Sequence, residues 1–353
     1  MNEEAKSASR VIDSVAKAVA NWTTDEHAKE NPELPDRYGS GWRTEWTGHT
    51  LSQIHILAQA VAVRSTDLFV HHVCWTFDSF EARGVQGADL IRNTKCMREV
   101  LAKELPPPVA KAALPFVDTS IAQVQSADRK RDSDPSLDAG HRERTLKYLE
   151  AILEGDRTAA ESLILATLDE GTTIAEVYEG ILAPAQARLG RMWHRGEISV
   201  ADEHFGSATT QSVMSLLRPR FAKAKPNGRI LVATSTPGDL HEIGLRMVTD
   251  LFEIDGWTVI YLGANTPTTD LIELLDRRRP NLLALAVSTG LTLRDAGDLL
   301  DRIRETSSIA EMKVLIGGPP FRFAPDLWRE LGADGCATSS SEAVRLGNQL
   351  VAP

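Results

Sequence analysis

The sequence predicts a multidomain chain of α and α/β parts, with a doubly wound parallel sheet at its C-terminal end and helices alone before it. Three observations predict this. From about Asn227 onward, the apolar runs "RILVAT", "WTVIYLG", "LLALAVS" and "KVLIGG" alternate with amphipathic stretches, as strands buried on both faces of a parallel sheet do. From about His141 to Lys223, apolar residues recur at helical spacing in four stretches with short joints, the pattern of a four-helix bundle. The first 125 residues carry helical spacing in a separate set of stretches.

Taken in order, "GWRTEWTGHTLSQIHILAQAVAV", "TDLFVHHVCWTFDSFEARG" and "QGADLIRNTKCMREVLAKEL" read as three long helices, and "PPPVAKAALPFVDTSIAQV" as a fourth after a proline stop. These make up a helical domain over 1–125. The charged stretch "QSADRKRDSDPSLDAG" has no periodicity and predicts an exposed linker over 126–140. The bundle, 141–225, is formed by "HRERTLKYLEAILEGD", "RTAAESLILATLDEG", "TIAEVYEGILAPAQARLGRMWHRG" and "SVADEHFGSATTQSVMSLLRPRF", and "AKAKPNG" joins it to the α/β domain over 226–353. A short fifth strand, "DGCAT", and a last helix, "SSEAVRLGNQLVA", complete five βα units. Doubly wound sheets bind ligands at the carboxyl ends of their strands. His241 in "STPGDLHEIG", Ser288 in "VSTGLTL" and the pair Gly317–Gly318 in "LIGGPP" all fall at such ends. An imidazole there can touch a ligand, and Asp239, two residues back, can hold it in one tautomer.

Composition narrows the function. A chain of 353 residues has room for two or three domains, and 42% hydrophobic with 25% charged residues is ordinary for a globular protein. The net charge of −10 argues against a nucleic-acid surface. The acidic, polar start "MNEEAKSASR" is not a secretory signal, and no run reaches the roughly 18 apolar residues that cross a bilayer. Cys74, Cys96 and Cys336 are scattered and odd in number, which suggests a reducing cytoplasm rather than disulfides or a zinc cluster.

"DLHEIG" resembles the Asp-x-His-x-x-Gly signature of cobalamin-binding domains, and Ser288 and Gly317–Gly318 stand where that family has its Ser-x-[Leu/Thr] and Gly-Gly elements. The resemblance implies a flavodoxin-like or Rossmann-like domain in which the corrinoid's nucleotide tail leaves the cobalt and threads into the protein. It assigns His241 as the lower cobalt ligand and Asp239 as the acceptor that orients it. Gly244 would leave room for the tail, and Gly317 and Gly318 would let the backbone approach it.

A second motif lies in the bundle. "MWHRGEISVADEH" carries Trp193, nine residues, then Glu203 and His204, and resembles the CarH-type photoreceptors, whose bundle caps adenosylcobalamin. The resemblance places Trp193, Val200, Glu203 and His204 around the adenosyl group and makes His194 a cobalt ligand after illumination. These photoreceptors carry an N-terminal DNA-reading domain, and the first 125 residues here show no basic recognition helix. By domain order they resemble instead the globin-like domain of photocobilins, which bind biliverdin besides cobalamin. Trp42, Trp46, His49, Gln53 and Ile56 share one helix stripe, and His72 and Trp75 lie together on the next helix, with Cys74 between them as either an attachment point or a buried inert thiol. Arg83, Arg92 and Lys95 have the charge to pair with bilin propionates.

These readings combine into an expectation: a non-enzymatic, light-sensing signalling protein using adenosylcobalamin, with biliverdin as second chromophore, a light-dependent homo-oligomer and an unknown downstream protein. No nucleic acid and no membrane are expected as partners. The alternative is a corrinoid carrier protein of a methyltransferase system.

Overall fold

The computed structural model describes residues 2–126 and 137–352; residues 127–136 of the expected linker lie outside them. The chain divides into two compact units. The first holds the N-terminal helices together with residues 289–297 and 322–331, and the second holds the remainder.

In the first unit, helices α1 (Glu3–Glu30), α2 (Leu34–Tyr38), α3 (Trp42–Ala62), α4 (Thr66–Ala82), α5 (Gly87–Glu104) and α6 (Pro107–Gln125) follow one another. The long α1 was not anticipated from the sequence. Asn2 caps it by accepting the Ala5 N–H at 3.1 Å, with Glu3 and Glu4 in the first turn where acids suit the helix dipole. Its buried face, Ile12, Ala16, Val19 and Ala20, meets a core that includes Ile54 and Leu57 of α3 and Met97 and Leu101 of α5. The buried Asp89 carboxylate accepts from Asn31 at 2.6 Å and from the Tyr38 hydroxyl at 2.7 Å, and pairs with Arg37. Each lone-pair site so used offsets the cost of burying a charge, and the chain between α1 and α3 is thereby fixed onto α5.

The second unit begins with α7 (Arg142–Leu153) and α8 (Arg157–Asp169). The third bundle helix starts as α9 (Ile174–Val177), widens into a π-turn over Tyr178–Leu182 and continues as α10 (Ala183–His194); α11 (Val200–Leu217) is the fourth. Ser199 and Asp202 form a capping box at the start of α11. Tyr148, Tyr178, Ile181, Leu182, Leu189 and Met214 are fully buried in the bundle core.

The sheet that follows runs β1 (Ile230–Ser235), β2 (Thr258–Tyr261), β3 (Leu282–Ala286), β4 (Lys313–Gly317) and β5 (Gly335–Ala337). All pairs are parallel and the order is β2-β1-β3-β4-β5. Its helices are α12 (Ile243–Ile254), α13 (Thr268–Arg278), α14 (Leu293–Glu305), the short α15 (Pro320–Phe323) and α16 (Leu327–Leu331), and α17 (Ser340–Leu350). The order reverses between β1 and β3, which makes their carboxyl ends the switch point where such sheets take ligands. Register aligns those ends: Ser235 faces Ala286, Ala286 faces Gly317, and Gly317 faces Ala337. The "AKAKPNG" joint has no regular structure, yet Ala224 N donates to Ile254 O at 2.8 Å and Asn227 N to Gly256 O at 3.0 Å, so it is held against the α/β part.

The π-turn anchors the bundle to the α/β part. It turns Tyr178 inward, where its hydroxyl donates to the buried Asp250 carboxylate at 2.7 Å, and Arg218 donates to the other oxygen at 2.7 Å. Next to it, the Glu179 carboxylate accepts from Ser340 Oγ at 2.8 Å and Ser341 N at 2.7 Å, at the start of α17. Burial opposes ionisation of Glu179, but these hydrogen bonds outweigh it and hold its carboxyl below the ordinary range.

Two outcomes follow. Tyr178→Phe leaves one Asp250 oxygen unsatisfied and lowers unfolding free energy by about 1–3 kcal/mol in urea denaturation. Glu179 has a lowered folded pKa, so its stabilisation is present above its unfolded value near 4.5 and fades as pH falls through the folded one. Glu179→Gln therefore destabilises at neutral pH, and the gap from the parent narrows as denaturation is repeated at decreasing pH; a gap independent of pH contradicts the role.

Candidate functional site

The loop after β1 builds the centre of the site. The Asp239 side chain is fully buried, and one of its oxygens accepts from His241 Nδ1 at 2.9 Å and from the His241 backbone N–H at 3.0 Å. Its other oxygen accepts from the backbone N–H of Ser288, after β3, at 2.6 Å. A single carboxylate thus ties together the two loops of the switch point. The Asp239 acceptor assigns the Nδ1–H tautomer and leaves the Nε2 lone pair for a metal, on a side chain that is 69% exposed.

The electrostatics agree. Burial raises the Asp239 pKa, but hydrogen bonds from the His241 ring and from the Ser288 and His241 amides outweigh it, leaving the carboxyl below its ordinary range. The His241 imidazole is shifted upward, first by its hydrogen bond to Asp239, against desolvation, with a further contribution from the nearby Glu203 carboxylate. Glu203 lies in the first turn of α11. It accepts from Ser207 Oγ at 2.8 Å, and the exposed His204 ring stands 3.7 Å from it.

Other expected residues fall as follows. Trp193 and Val200 are 38% and 51% exposed, and Leu240, beside His241, is 73% exposed; exposed apolar side chains of this size suit a flat apolar ligand. His194 is buried, turned away from Trp193 as adjacent residues on a helix must be. Ser288 contributes its backbone amide. Gly317 and Gly318 are demanded by the sheet itself: an added Cβ at Gly318, whose φ is +139°, lies 1.9 Å from the Val287 carbonyl oxygen, and one at Gly317 lies 2.8 Å from that of Ala337. Their identity is therefore no sign of a ligand. Gly244 is the reverse. An added Cβ there meets no atom within 4 Å and φ is not positive, so neither packing nor backbone requires a glycine.

Sequence reasoning missed Asn265 and Glu242. Asn265, at φ +57°, accepts from Gly238 N at 2.7 Å and donates its own N–H to Ser235 Oγ at 3.1 Å, while Ser235 Oγ donates to Asp239 O at 2.7 Å. The signal was "GANTP" after an apolar run, since asparagine tolerates the left-handed region. Glu242 accepts from Gln211 of α11 and Tyr261 of β2, both at 3.1 Å, and joins bundle to sheet.

In the first unit the expected bilin residues do not surround an open site. Trp46 is buried edge-on against His27 at 4.7 Å and Tyr38 at 5.8 Å, and His49 against Phe80 at 4.7 Å. His72 and Trp75 are half-buried, with ring centroids 6.3 Å apart. The cavity lined by His49 and Gln53 measures about 10 Å³, room for one water and not for a tetrapyrrole. Arg83 and Arg92 are exposed and bond locally, to Ser79 and to the Glu30 carbonyl. Cys74 is buried and forms no disulfide.

The sequence pattern of the B12 binding domain matches residues 229–345, and a second pattern of the same description matches residues 146–218. Bundle and sheet form a cobalamin-binding module. The chain is 28% identical over 212 residues to monomethylamine corrinoid protein 1 of Methanosarcina mazei, covering 58% of this chain and 96% of that one. It is 23% identical to dimethylamine corrinoid protein 1 of the same organism, covering 58% and 96%. The solved monomethylamine corrinoid protein of Methanosarcina barkeri shares the fold, with a TM-score of 0.54 at 22% identity over 60% of this chain and 99% of that one. These relatives are named as corrinoid proteins, not as enzymes.

They overturn the light-sensing reading. Relatives spanning nearly their whole length are methylamine corrinoid proteins, so the Trp-x9-Glu-His pattern does not mark a photoreceptor here. Biliverdin finds no support among these relatives, and the light-dependent oligomer and His194 as an illuminated-state ligand were expectations tied to the light-sensing reading. No helix among the described residues is long and apolar enough to cross a membrane.

Gly244→Ala separates packing from ligand binding. Without corrinoid the variant is as stable as the parent or up to about 1 kcal/mol more so, because alanine is the better helix former. Corrinoid affinity, read by equilibrium dialysis, falls. Unchanged affinity removes Gly244 from the site.

Proposed function

We propose that this protein is a corrinoid carrier of a methyl-transfer system, with no catalytic residues of its own. The observation that carries the reading is the exposed His241, held by Asp239 and Ser288 at the switch point, in a module whose relatives are methylamine corrinoid proteins. When bound, the corrinoid supplies a cobalt that accepts and gives up a methyl group. The protein's own residues do the rest. His241 would offer one nitrogen to the cobalt, and Asp239 fixes its tautomer and raises its basicity. Gly244 leaves the start of α12 open for the nucleotide tail. On the bundle side, Trp193, Val200 and Glu203 would border the corrinoid, and the exposure of Trp193 and Val200 suits a cap that a partner has to displace or pass.

The upper ligand in this reading is methyl rather than adenosyl, and the partner is a methyltransferase. A reducing cytoplasm accords with such a cobalt and with Cys74, Cys96 and Cys336, none of which is in a disulfide.

Equilibrium dialysis in the dark tests the reading. The protein retains methylcobalamin at least as tightly as adenosylcobalamin, and His241→Ala weakens both by roughly tenfold or more, as loss of a metal ligand does. Retention of adenosylcobalamin with exclusion of methylcobalamin contradicts it.

A further inference from the structure

The loop that carries Ser288 is gripped at its far end by the N-terminal helices. Residues 289–297 and 322–331 belong to the first unit. There the Arg294 guanidinium pairs with Asp13 and donates to Ser9 Oγ at 3.0 Å, while the Arg294 backbone N–H donates to Gln59 Oε1 at 2.8 Å. Asp13 also engages His55 Nδ1 at 3.1 Å, and Gln59 is buried. Phe323 stacks on His71 with ring centroids 3.4 Å apart. Gly290 fits closely as well, since a Cβ there would lie 3.3 Å from Leu68 and 3.4 Å from Ile56.

The bond from Gln59 has a specific consequence. Arg294 sits in the first turn of α14, where backbone N–H groups have no intrahelical acceptor. The residue before the helix, Thr292, bonds back to Thr289 O at 3.4 Å. Gln59, from a helix 235 residues earlier in the chain, supplies an acceptor for the first turn instead. Upstream, Val287 N donates to Gly317 O at 2.9 Å, and Ser288 N donates to Asp239. The stretch 289–293 is therefore anchored at both ends, and it contains a glycine that would otherwise leave it mobile.

We propose that the N-terminal helices position the axial ligand: Arg294, gripped by Asp13, Ser9 and Gln59, fixes the loop whose Ser288 amide holds Asp239 in register with His241. The proposal rests on the corrinoid reading above. It gives the N-terminal domain a task at the cobalamin site with no ligand of its own. Arg294 bonds to Asp13, Ser9 and Gln59 and acts on His241 only through Ser288, as a positioning residue.

The test uses the full chain with Asp13→Asn and Arg294→Met, Arg294→Lys as the conservative variant, Gly290→Val as a second route should an Arg294 variant fold poorly, and His241→Ala as control. In the cofactor-free protein, amide hydrogen exchange at Ser288 and residues 289–293 is expected to accelerate on the order of tenfold when the grip is lost, with partial rescue by lysine. With methylcobalamin added, the visible spectrum is expected to show a smaller histidine-bound fraction. The dissociation constant should rise roughly threefold to tenfold, below the loss expected for a direct partner of a metal ligand. Unchanged exchange in folded variants overturns the grip. Faster exchange with an unchanged histidine-bound fraction overturns its effect on the ligand. If His241→Ala and parent give the same cobalt spectrum, the corrinoid reading itself fails and the proposal with it, while the exchange rates still report the grip separately.

Discussion

The Asp239 carboxylate is the constraint on which the site depends. It is buried, so each of its oxygens needs donors, and the donors come from two loops that are far apart in sequence: the His241 ring and amide on one side, the Ser288 amide on the other. A charge in that position without those donors would be costly to bury. With them it decides which nitrogen of His241 carries the proton and which faces outward. Removing either loop's contribution would leave the imidazole free to turn, so the fold around β1 and β3 and the chemistry of the site share one interaction.

The rest of the second unit keeps that geometry in place. Parallel register sets the ends of β1, β3 and β4 level, and Ser235 with Asn265 closes the loop beneath Asp239. Three of the ties between the bundle and the α/β part are Tyr178 on Asp250, Glu179 at the start of α17, and Gln211 on Glu242. Two of the three arise from consecutive residues of a π-turn, a local widening that directs neighbouring side chains toward separate partners and is often found at functional positions.

Much of this was legible in the sequence, and the reasons for success and failure differ by element. The sheet was readable because strands buried on both faces leave continuous apolar runs, and the ligand loop because Asp-x-His at a strand end is a local motif. Helix α1 escaped notice because its inward face is built from Ile12 with small residues such as Ala16 and Ala20, a weak apolar stripe behind a charged start. Asn265 and Glu242 went unseen because their partners lie on other elements. The glycines, alike in the sequence, differ in the fold: an added Cβ at Gly317 or Gly318 would meet neighbouring backbone, whereas at Gly244 it would meet nothing. The cap motif in the bundle named the wrong function, since an exposed Trp193 does not specify which ligand it meets. The aromatic stripe of α3 proved to be packed core around Trp46.

The account stands or falls on His241 as the protein nitrogen bound to cobalt. Electron paramagnetic resonance of the cobalt(II) corrinoid complex, made with protein whose histidines carry nitrogen-15, tests this directly. The account predicts that the nitrogen splitting of the cobalt signal changes with the isotope and that the change disappears in His241→Ala. A splitting pattern indifferent to the label, arising from the corrinoid's own base or from no nitrogen at all, would contradict it.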